Sequence, residues 1–469
     1  MLFGWLPAVA VELVARIPAW SNLVPAAVVI AAGGGGLLLA GVIVRHRRRK
    51  RVAQAVVAQR VRDEVTLLKA KLRGRLSAPA SLLAGNTGVA PTMGACEAFE
   101  GDIDAAARTV LIEAGGHRTK AKQLLRGRMN AHGAERNGLN GSEVGHWRQL
   151  GALSLLDGVT DAIPPYSRAA DLAPENAEAQ MLVGVLHLKA GNLAAAEAAF
   201  RRQIEIGNAA NGSGGVARYR GHTMLGDVLA ARAENDEAIA AYAEAQRQIK
   251  ALLSGGDHSL ALERDLSAIC DRIGDVHLAR LDLDVALENY RQSLEIAETL
   301  AARDAQNAVY QHDLSVSYDR IGDLLEKKGD REGAIDYFRK SLTIAKTLCL
   351  RDPDNTEWQW DLSASYDRIG DALIAQGNLK DALASYRNGL AIAEGLARRD
   401  PAHAGWQRDL AISYHKLGSL EAIDNPAEAR EFLEKGRAII DRLAQIAAHQ
   451  AQWRSDLSRF DEVLKTLDG

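Results

Sequence analysis

The chain has 469 residues, which is more than one compact hydrophobic core accommodates, so its length favours several domains or one long repeat array. Only 5% of the residues are aromatic, and this composition favours helices over β-sandwiches. Residues 45–75 carry a net charge of +10, and the one acidic and one basic side chain of residues 1–44 cancel each other. The total charge of −3 therefore leaves −13 for residues 76–469. An acidic body behind a basic collar is not typical of a nucleic-acid-binding protein, and we expect no nucleic-acid partner.

The first predicted element is a membrane-spanning helix at residues 23–44. These 22 residues contain no charged side chain, and at about 1.5 Å each they span a hydrocarbon core of about 30 Å. The basic run RHRRRKR follows at 45–51, whereas Arg16 is the one basic residue upstream. We therefore predict a single-pass signal anchor in the inner or plasma membrane, with the C-terminal part of the chain in the cytoplasm. The alternative, a cleaved signal peptide, lacks its basic n-region here.

Small residues form one face of this predicted helix. Ala32, Gly36 and Ala40 recur every four residues, so a second helix can approach that face closely. One interpretation is self-association of the chain through this helix, and the other is that these residues are apolar filler. Residues 1–22 are apolar but interrupted by Pro7 and Pro18, and we expect them to lie at the outer interface.

The segment between the anchor and the rest of the chain divides into two parts. Residues 45–77 form a basic juxtamembrane segment, and within it one apolar stripe predicts a helix at 50–77, through Val57, Val61, Val65, Leu68, Leu72 and Leu76. The stripe is too short and irregular to indicate a coiled coil. Residues 78–146 read as linker and short helices, with helix predicted at 96–130 and a break at Gly115-Gly116.

The second half of the chain repeats itself every 48 residues. The motif DLSAICDRIGD at Asp265 returns at offsets of 48, 48, 48 and 47, beginning at Asp313, Asp361, Asp409 and Asp456. A glycine keeps the same step at Gly226, Gly274, Gly322, Gly370 and Gly418. A fixed period of this length is the signature of a repeat architecture.

Each period contains two amphipathic helices. A short turn at Gly329-Asp330 or Gly377-Asn378 separates them, and an Asp-Pro step at Asp352-Pro353 or Asp400-Pro401 ends the second. Gly370 falls inside the first helix, where glycine costs about 1 kcal/mol relative to alanine. Its recurrence therefore predicts a close helix contact at this position.

This pattern resembles the tetratricopeptide repeat (TPR) family. The marks of the first unit are Trp147, Leu150, Gly151, Tyr166, Ala169 and Pro174, and those of the second are Gly184, Ala196 and Phe200. The resemblance implies an all-α, right-handed solenoid over residues 147–469, with about seven helix pairs and a capping helix at 456–467. Two near-standard units precede units of about 48 residues, whose helices or loops must be longer. The last unit departs from the pattern at Arg430, where alanine is expected, unless one residue is deleted.

The resemblance also implies a partner-binding face. In TPR proteins the first helices of the units line the concave surface, and the inward positions here are mostly acidic: Asp271, Asp275, Asp319, Asp323, Asp367, Asp371 and His415. The functional interpretation is a groove for a basic segment of a protein partner. The alternative is that Arg272, Arg320 and Arg368 neutralise the aspartates within their own helices. The family's basic clamp for carboxylate-ended tails is disfavoured, because aspartate occupies its positions.

Catalytic and metal-binding motifs are absent from the sequence. It contains no phosphate-binding loop, HExxH or GxSxG motif, and the cysteines and histidines lack ligand spacing. We therefore predict no enzymatic activity, cofactor or metal, and a membrane-tethered scaffold that binds proteins. The alternatives are a structural subunit of a larger membrane assembly, or an enzyme or sensor domain within 78–146 that the repeats serve as a recruiting arm.

Overall fold

The computed structural model describes residues 54–69, 72, 93–132, 140–155, 157–210, 213–257, 259–422, 424–446 and 451–468. Within these ranges all regular elements are helices, which confirms the predicted all-α class. The chain divides into two compact units, and the boundary falls after Ala195.

The first unit contains helices of ordinary length. Helix α1 covers residues 54–69. It is followed by α2 (Met93–Ala106), α3 (Arg118–His132), α4 (Asn140–Ser154), α5 (Val159–Leu172), α6 (Ala177–Lys189) and the start of α7 (Leu193–Ala209). A π-helical turn at Ala107–Leu111 continues α2. The break predicted at Gly115-Gly116 is confirmed, because both glycines adopt positive φ between α2 and α3.

Helices of the segment that precedes the repeats pack against the first repeat. Val61 and Leu68 of α1 are buried, and Lys69 of α1 bonds Asp104 of α2 at 2.9 Å. Phe99 of α2 meets the ring of Tyr166 edge-on, with centroids 5.2 Å apart. Residues 93–106 therefore cover the apolar side of the first helix pair, as a solenoid end requires.

The second unit contains the long repeats. After α7 come α8 (Gly215–Ala231), α9 (Asn235–Ser254), α10 (Leu260–Ala279), α11 (Leu283–Arg303), α12 (Ala308–Lys327), α13 (Arg331–Arg351), α14 (Thr356–Ala375), α15 (Leu379–Arg399), α16 (Ala404–Glu421), α17 (Pro426–Ile446) and α18 (Ala451–Asp468). Even-numbered helices from α8 to α16 are the A helices of their repeats, and odd-numbered ones are the B helices.

The longer period comes from longer helices and not from enlarged loops. Helices α10 and α11 have 20 and 21 residues, against 13 and 17 in α6 and α7. The turn between α12 and α13 spans only three residues, including Gly329 with a φ of 84°. The predicted solenoid of helix pairs with a final capping helix is thus confirmed in the part of the chain that the structure describes.

The recurring glycine makes the close contact that its position predicts. In four repeats the Cα of the A-helix glycine lies under an aromatic ring of the same repeat's B helix: Tyr242, Tyr290, Phe338 or Tyr386. A Cβ built on Gly274 would lie 2.5 Å from the ring of Tyr290, closer than real Cβ atoms approach. Gly151 and Tyr166 repeat this contact in the first unit. Glycine therefore fixes how closely the two helices of a repeat pack.

The last repeat contains the one-residue deletion. Ala429 is fully buried and occupies the small-residue position 47 residues after Ala382, while Arg430 is half-buried. Leu433 then replaces the aromatic residue over Gly418. Trp453 and Phe460 of α18 are buried against α17, so α18 covers the end of the array.

The predicted membrane helix at 23–44, the face of Ala32, Gly36 and Ala40, and the segment 1–22 all lie outside the described residues. Within the ranges that are described, no helix combines the length and the apolar character that crossing a membrane would need.

Gly322→Ala tests the glycine–aromatic contact. Overpacking against Phe338 costs about 1–3 kcal/mol and the gain in helix propensity is about 1 kcal/mol, so we expect a net loss of stability of up to about 2 kcal/mol. Gly395→Ala is the matched control, because a Cβ there meets nothing within 4 Å. It should raise stability by about 0.5–1 kcal/mol. Urea unfolding followed by circular dichroism measures both, and equal effects would contradict the packing argument.

Candidate interaction surface on the A helices

The aspartates predicted to line a groove are ion-paired across repeats. At three successive contacts between A helices, one cation lies within 4 Å of both aspartates of the preceding repeat. We call the two aspartates at each contact, together with their shared cation, a DRIGD pair. The three DRIGD pairs are Asp271 and Asp275 with Arg320, Asp319 and Asp323 with Arg368, and Asp367 and Asp371 with Lys416. Arg272 likewise donates to Asp227 at 2.9 Å.

The arginines thus neutralise aspartates, but not those of their own helix. Arg320 lies on α12, and both of its carboxylate partners lie on α10. The expected pairing within one helix turn is therefore replaced by pairing with the previous repeat. At each contact one cation serves two carboxylates, so the A-helix face keeps an excess of negative charge.

The second aspartate of each pair also ties the A helix to its own B helix. Tyr290 donates its hydroxyl hydrogen to Asp275 at 2.6 Å, and Tyr242 donates to Asp227 at 2.7 Å. Tyr386 does the same to Asp371. Phe338 lacks the hydroxyl, and Asp323 is served by Arg368 at 3.4 Å. The ring that packs on the repeat glycine therefore also holds the carboxylate in place.

Burial raises the pKa of the first aspartate in each pair. Removal from water is the main cause, the neighbouring cation opposes it, and the pKa of Asp271 is about 6. The same balance gives a pKa of about 6 for Asp319, beside Arg368, and for Asp367, beside Lys416. These three carboxyl groups are only 15–20% exposed.

A second set of contacts connects the A helices in the opposite direction. The residue that precedes each DLS motif donates a hydrogen bond, or lies within ion-pair distance, to the aspartate of the next DLS motif. We call these the DLS pairs: Arg264–Asp313 at 2.9 Å, His312–Asp361 at 3.0 Å, Trp360–Asp409 at 2.8 Å and Arg408–Asp456 at 2.8 Å. At the start of the series Asp265 instead accepts from Tyr219 at 2.7 Å.

His312 acts as a cation in its DLS pair. Burial opposes the charged imidazolium, but contacts with Asp313 and Asp361 outweigh it and raise the pKa of His312 to about 10. The charged ring therefore occupies the position held by arginine at two other repeats.

His415, the last predicted groove residue, occupies a different environment. It stands where the other repeats have a buried aspartate, and its ring meets Phe460 of the capping helix edge-on at 5.0 Å. Burial lowers the pKa of its imidazole. Its role in partner binding, like that of the six aspartates, stays a prediction.

Comparison with known sequence families supports this repeat architecture. Family profiles described as tetratricopeptide repeat match residues 156–211 and 316–348. The chain contains tetratricopeptide repeats. Repeats of this family are protein-interaction repeats, and they suggest a protein-interaction scaffold. A comparison with curated proteins returns no match.

Solved structures with similar chain paths include other TPR proteins. BtubC (BKLC) from P. vanneervenii is 18% identical, with 55% of this chain and 91% of that one covered and a TM-score of 0.40. The apo form of RapI is 13% identical, with coverages of 80% and 98% and a TM-score of 0.49. The STAND protein PH0952 from Pyrococcus horikoshii, which has a tetratricopeptide repeat sensor, is 13% identical, with coverages of 78% and 52% and a TM-score of 0.49. All three scores are below 0.5, so the assignment rests on the repeats.

The DLS pairs of this TPR protein are the contacts that sequence reasoning missed. The donor positions hold three different residue types: Arg264, His312, Trp360 and Arg408. All four nevertheless carry a ring or guanidinium N–H group. Comparing hydrogen-bond donors at the repeat period, instead of identical residues, would have indicated these positions.

The raised pKa values predict a pH dependence of stability. A carboxyl group whose pKa is higher when folded than its usual 3.8 binds protons more tightly in the folded state. Its stabilising contribution is full below the unfolded pKa and is lost as the pH rises through about 6. Replacing Asp271, Asp319 and Asp367 together by Asn should therefore flatten the fall in stability between about pH 5 and about pH 7.5, by on the order of 1 kcal/mol per group.

The control is Asp275→Asn, because this carboxylate accepts from both Tyr290 and Arg320. It should lower stability at both pH values, since it weakens two hydrogen bonds to a partly buried group. Urea midpoints at the two pH values measure both variants. A triple variant with the wild-type pH profile would show that these aspartates are ionised in the folded chain at both values.

Proposed function

We propose that this chain is a membrane-tethered scaffold that holds a partner protein, through a basic segment of that partner, on the A-helix face of its long repeats. The observation that carries the proposal is the charge balance of the DRIGD pairs. Each cation there serves two aspartates, so negative charge remains along successive A helices. A surface of one sign attracts and orients a partner of the opposite sign.

Exposed apolar groups on the same helices support binding of a peptide rather than of ions alone. Trp360 and Ile374 of α14 are 44% and 38% exposed. Aromatic and aliphatic anchors surrounded by charge are typical of interaction surfaces. The chain would thus act by binding, without a reaction of its own.

The membrane tether is supported by the sequence. The uncharged run at 23–44 is followed directly by seven residues of which six are Lys or Arg, and this asymmetry favours a cytoplasmic repeat array. Helix α1 follows shortly after this basic run and is joined to α2 by the Lys69–Asp104 bond. The array would therefore stay close to the membrane surface.

Partner recovery tests the binding face. Ile374→Arg adds a cation to the A helix α14 and should reduce recovery of proximity-labelled partners about tenfold, because it repels a basic segment. Leu350→Arg adds the same charge at the end of the B helix α13, where Leu350 is 82% exposed, and should leave recovery unchanged. Equal losses in both variants, or none in either, would exclude the A-helix face as the binding surface.

Cell fractionation tests the tether. Full-length chain should stay in the membrane pellet after alkaline washing, and a variant lacking residues 1–44 should move to the supernatant. Protease added to intact cells should not cut the repeats, whereas protease added to inverted vesicles should. Release of the full-length chain by alkali would contradict the anchor, and cleavage in intact cells would contradict the orientation.

A further inference from the structure

The contact between α14 and α16 departs from the repeat at the DLS position. Three of the four DLS pairs join the aspartate to a cation, Arg264, His312 or Arg408. Here Trp360 takes the cation's place and donates its indole N–H to Asp409 at 2.8 Å. The hydrogen bond is kept but the positive charge is lost. Within the described residues Asp409 forms no salt bridge.

The same contact departs from the repeat on its B helix. Ser293 and Ser341 each place a hydroxyl beside the first aspartate of a DRIGD pair, Asp271 and Asp319. Gly389 occupies this position in α15, and a Cβ there would lie 3.0 Å from Oδ1 of Asp367. That oxygen is buried and accepts no hydrogen bond, as is also true of Oδ1 in Asp271 and Asp319. Asp367 keeps its cation, Lys416, so the exchange of serine for glycine removes only the hydroxyl group beside it. Asp409 is the carboxylate that lacks a cation at this contact.

These changes accompany a cleft between the two A helices. It encloses about 90 Å³, enough for one side-chain head group, and its floor includes Ala393 and Leu396 of α15. Its remaining walls are Trp360, Ser363, Ala364, Asp367, Trp406, Asp409, Ile412 and Ser413. The ring of Trp406 is held by stacking on His403, with centroids 4.2 Å apart. The cleft thus combines two aromatic side chains with two carboxylates.

Nearby cations are already engaged. Arg368 reaches back to Asp319 and Asp323, and Arg408 reaches forward to Asp456. Lys416 lies 2.8 Å from Asp371 and 3.6 Å from Asp367. No cation of the described chain therefore pairs with Asp409, although the other three DLS pairs include one.

We propose that this cleft binds an arginine side chain of the partner, whose guanidinium group supplies the missing cation to Asp409 and stacks on Trp360 and Trp406. Arginine fits better than lysine because its planar group stacks on aromatic rings and bonds a carboxylate through two N–H groups. The inference rests on the proposed scaffold function and narrows the basic segment to an arginine-containing one.

Fluorine NMR of the full-length chain in detergent micelles, with its seven tryptophans replaced by 5-fluorotryptophan, tests the site. Trp360→Phe and Trp406→Phe assign the two signals. Arginine amide should shift both, and citrulline amide, a neutral isostere, should shift neither. An equal response to the two compounds, or no response to arginine amide at saturating concentration, overturns the proposal.

Trp360→Arg tests binding without disturbing the fold. The new arginine supplies Asp409 with the cation that the equivalent position has in other repeats, so the thermal unfolding midpoint should stay unchanged or rise. Because the site is then occupied by the chain's own guanidinium, the affinity for arginine amide, read from the Trp406 signal, should fall about tenfold or more. Unaltered affinity overturns the proposal.

Partner recovery distinguishes this inference from the scaffold function on which it rests. Partners lost on Ile374→Arg but fully retained on Trp360→Arg would overturn the arginine site and leave the scaffold standing. Partners retained in both variants would overturn both.

Discussion

Buried carboxylates that one repeat cannot neutralise by itself are the constraint on which this array depends. Asp271 and Asp275 of α10 obtain their cation from Arg320 of α12. Taking carboxylates out of water without a nearby cation costs several kcal/mol, so an isolated repeat would be poorly stable. The DLS pairs run the other way and give each inner repeat a second tie to its neighbour. Stability therefore resides largely in the contacts between repeats, as nearest-neighbour descriptions of solenoids assume.

The sequence predicts the contacts within a repeat better than those between repeats. Gly322 and Phe338 lie 16 residues apart on adjoining helices, and both recur, so a close approach could be inferred from glycine's cost in a helix. The DRIGD partners lie 45 and 49 residues apart. Both residues recur at every period, and periodicity alone does not indicate whether an arginine faces its own helix, the preceding repeat or the following one.

A contact that occurs only once in the chain cannot be inferred from the repeat period. Asp102 of α2 accepts from Tyr166 at 2.9 Å and from Arg148 at 2.9 Å, and it provides the first helix pair with the carboxylate that later repeats carry beside their own glycine. In this pair Ala152 follows Gly151, so the carboxylate must come from elsewhere. Burial raises the pKa of Asp102, and Arg148 opposes that rise. Nothing in the residues around Asp102 indicates this role, so the sequence predicts a helix here but not its contact with the first repeat.

Attracting a basic partner and selecting its sequence are carried by different residues of this array. Excess negative charge is distributed over several A helices, where it can attract a basic partner over distances of about 8–10 Å at physiological salt. Such a surface does not by itself select a sequence, because its carboxylates are already engaged by Arg320, Arg368 and Lys416. Selection requires a group whose partner is missing. Trp360 creates that condition at Asp409 by keeping the hydrogen bond and omitting the charge, so one substitution at a structural position converts a contact between repeats into a binding site.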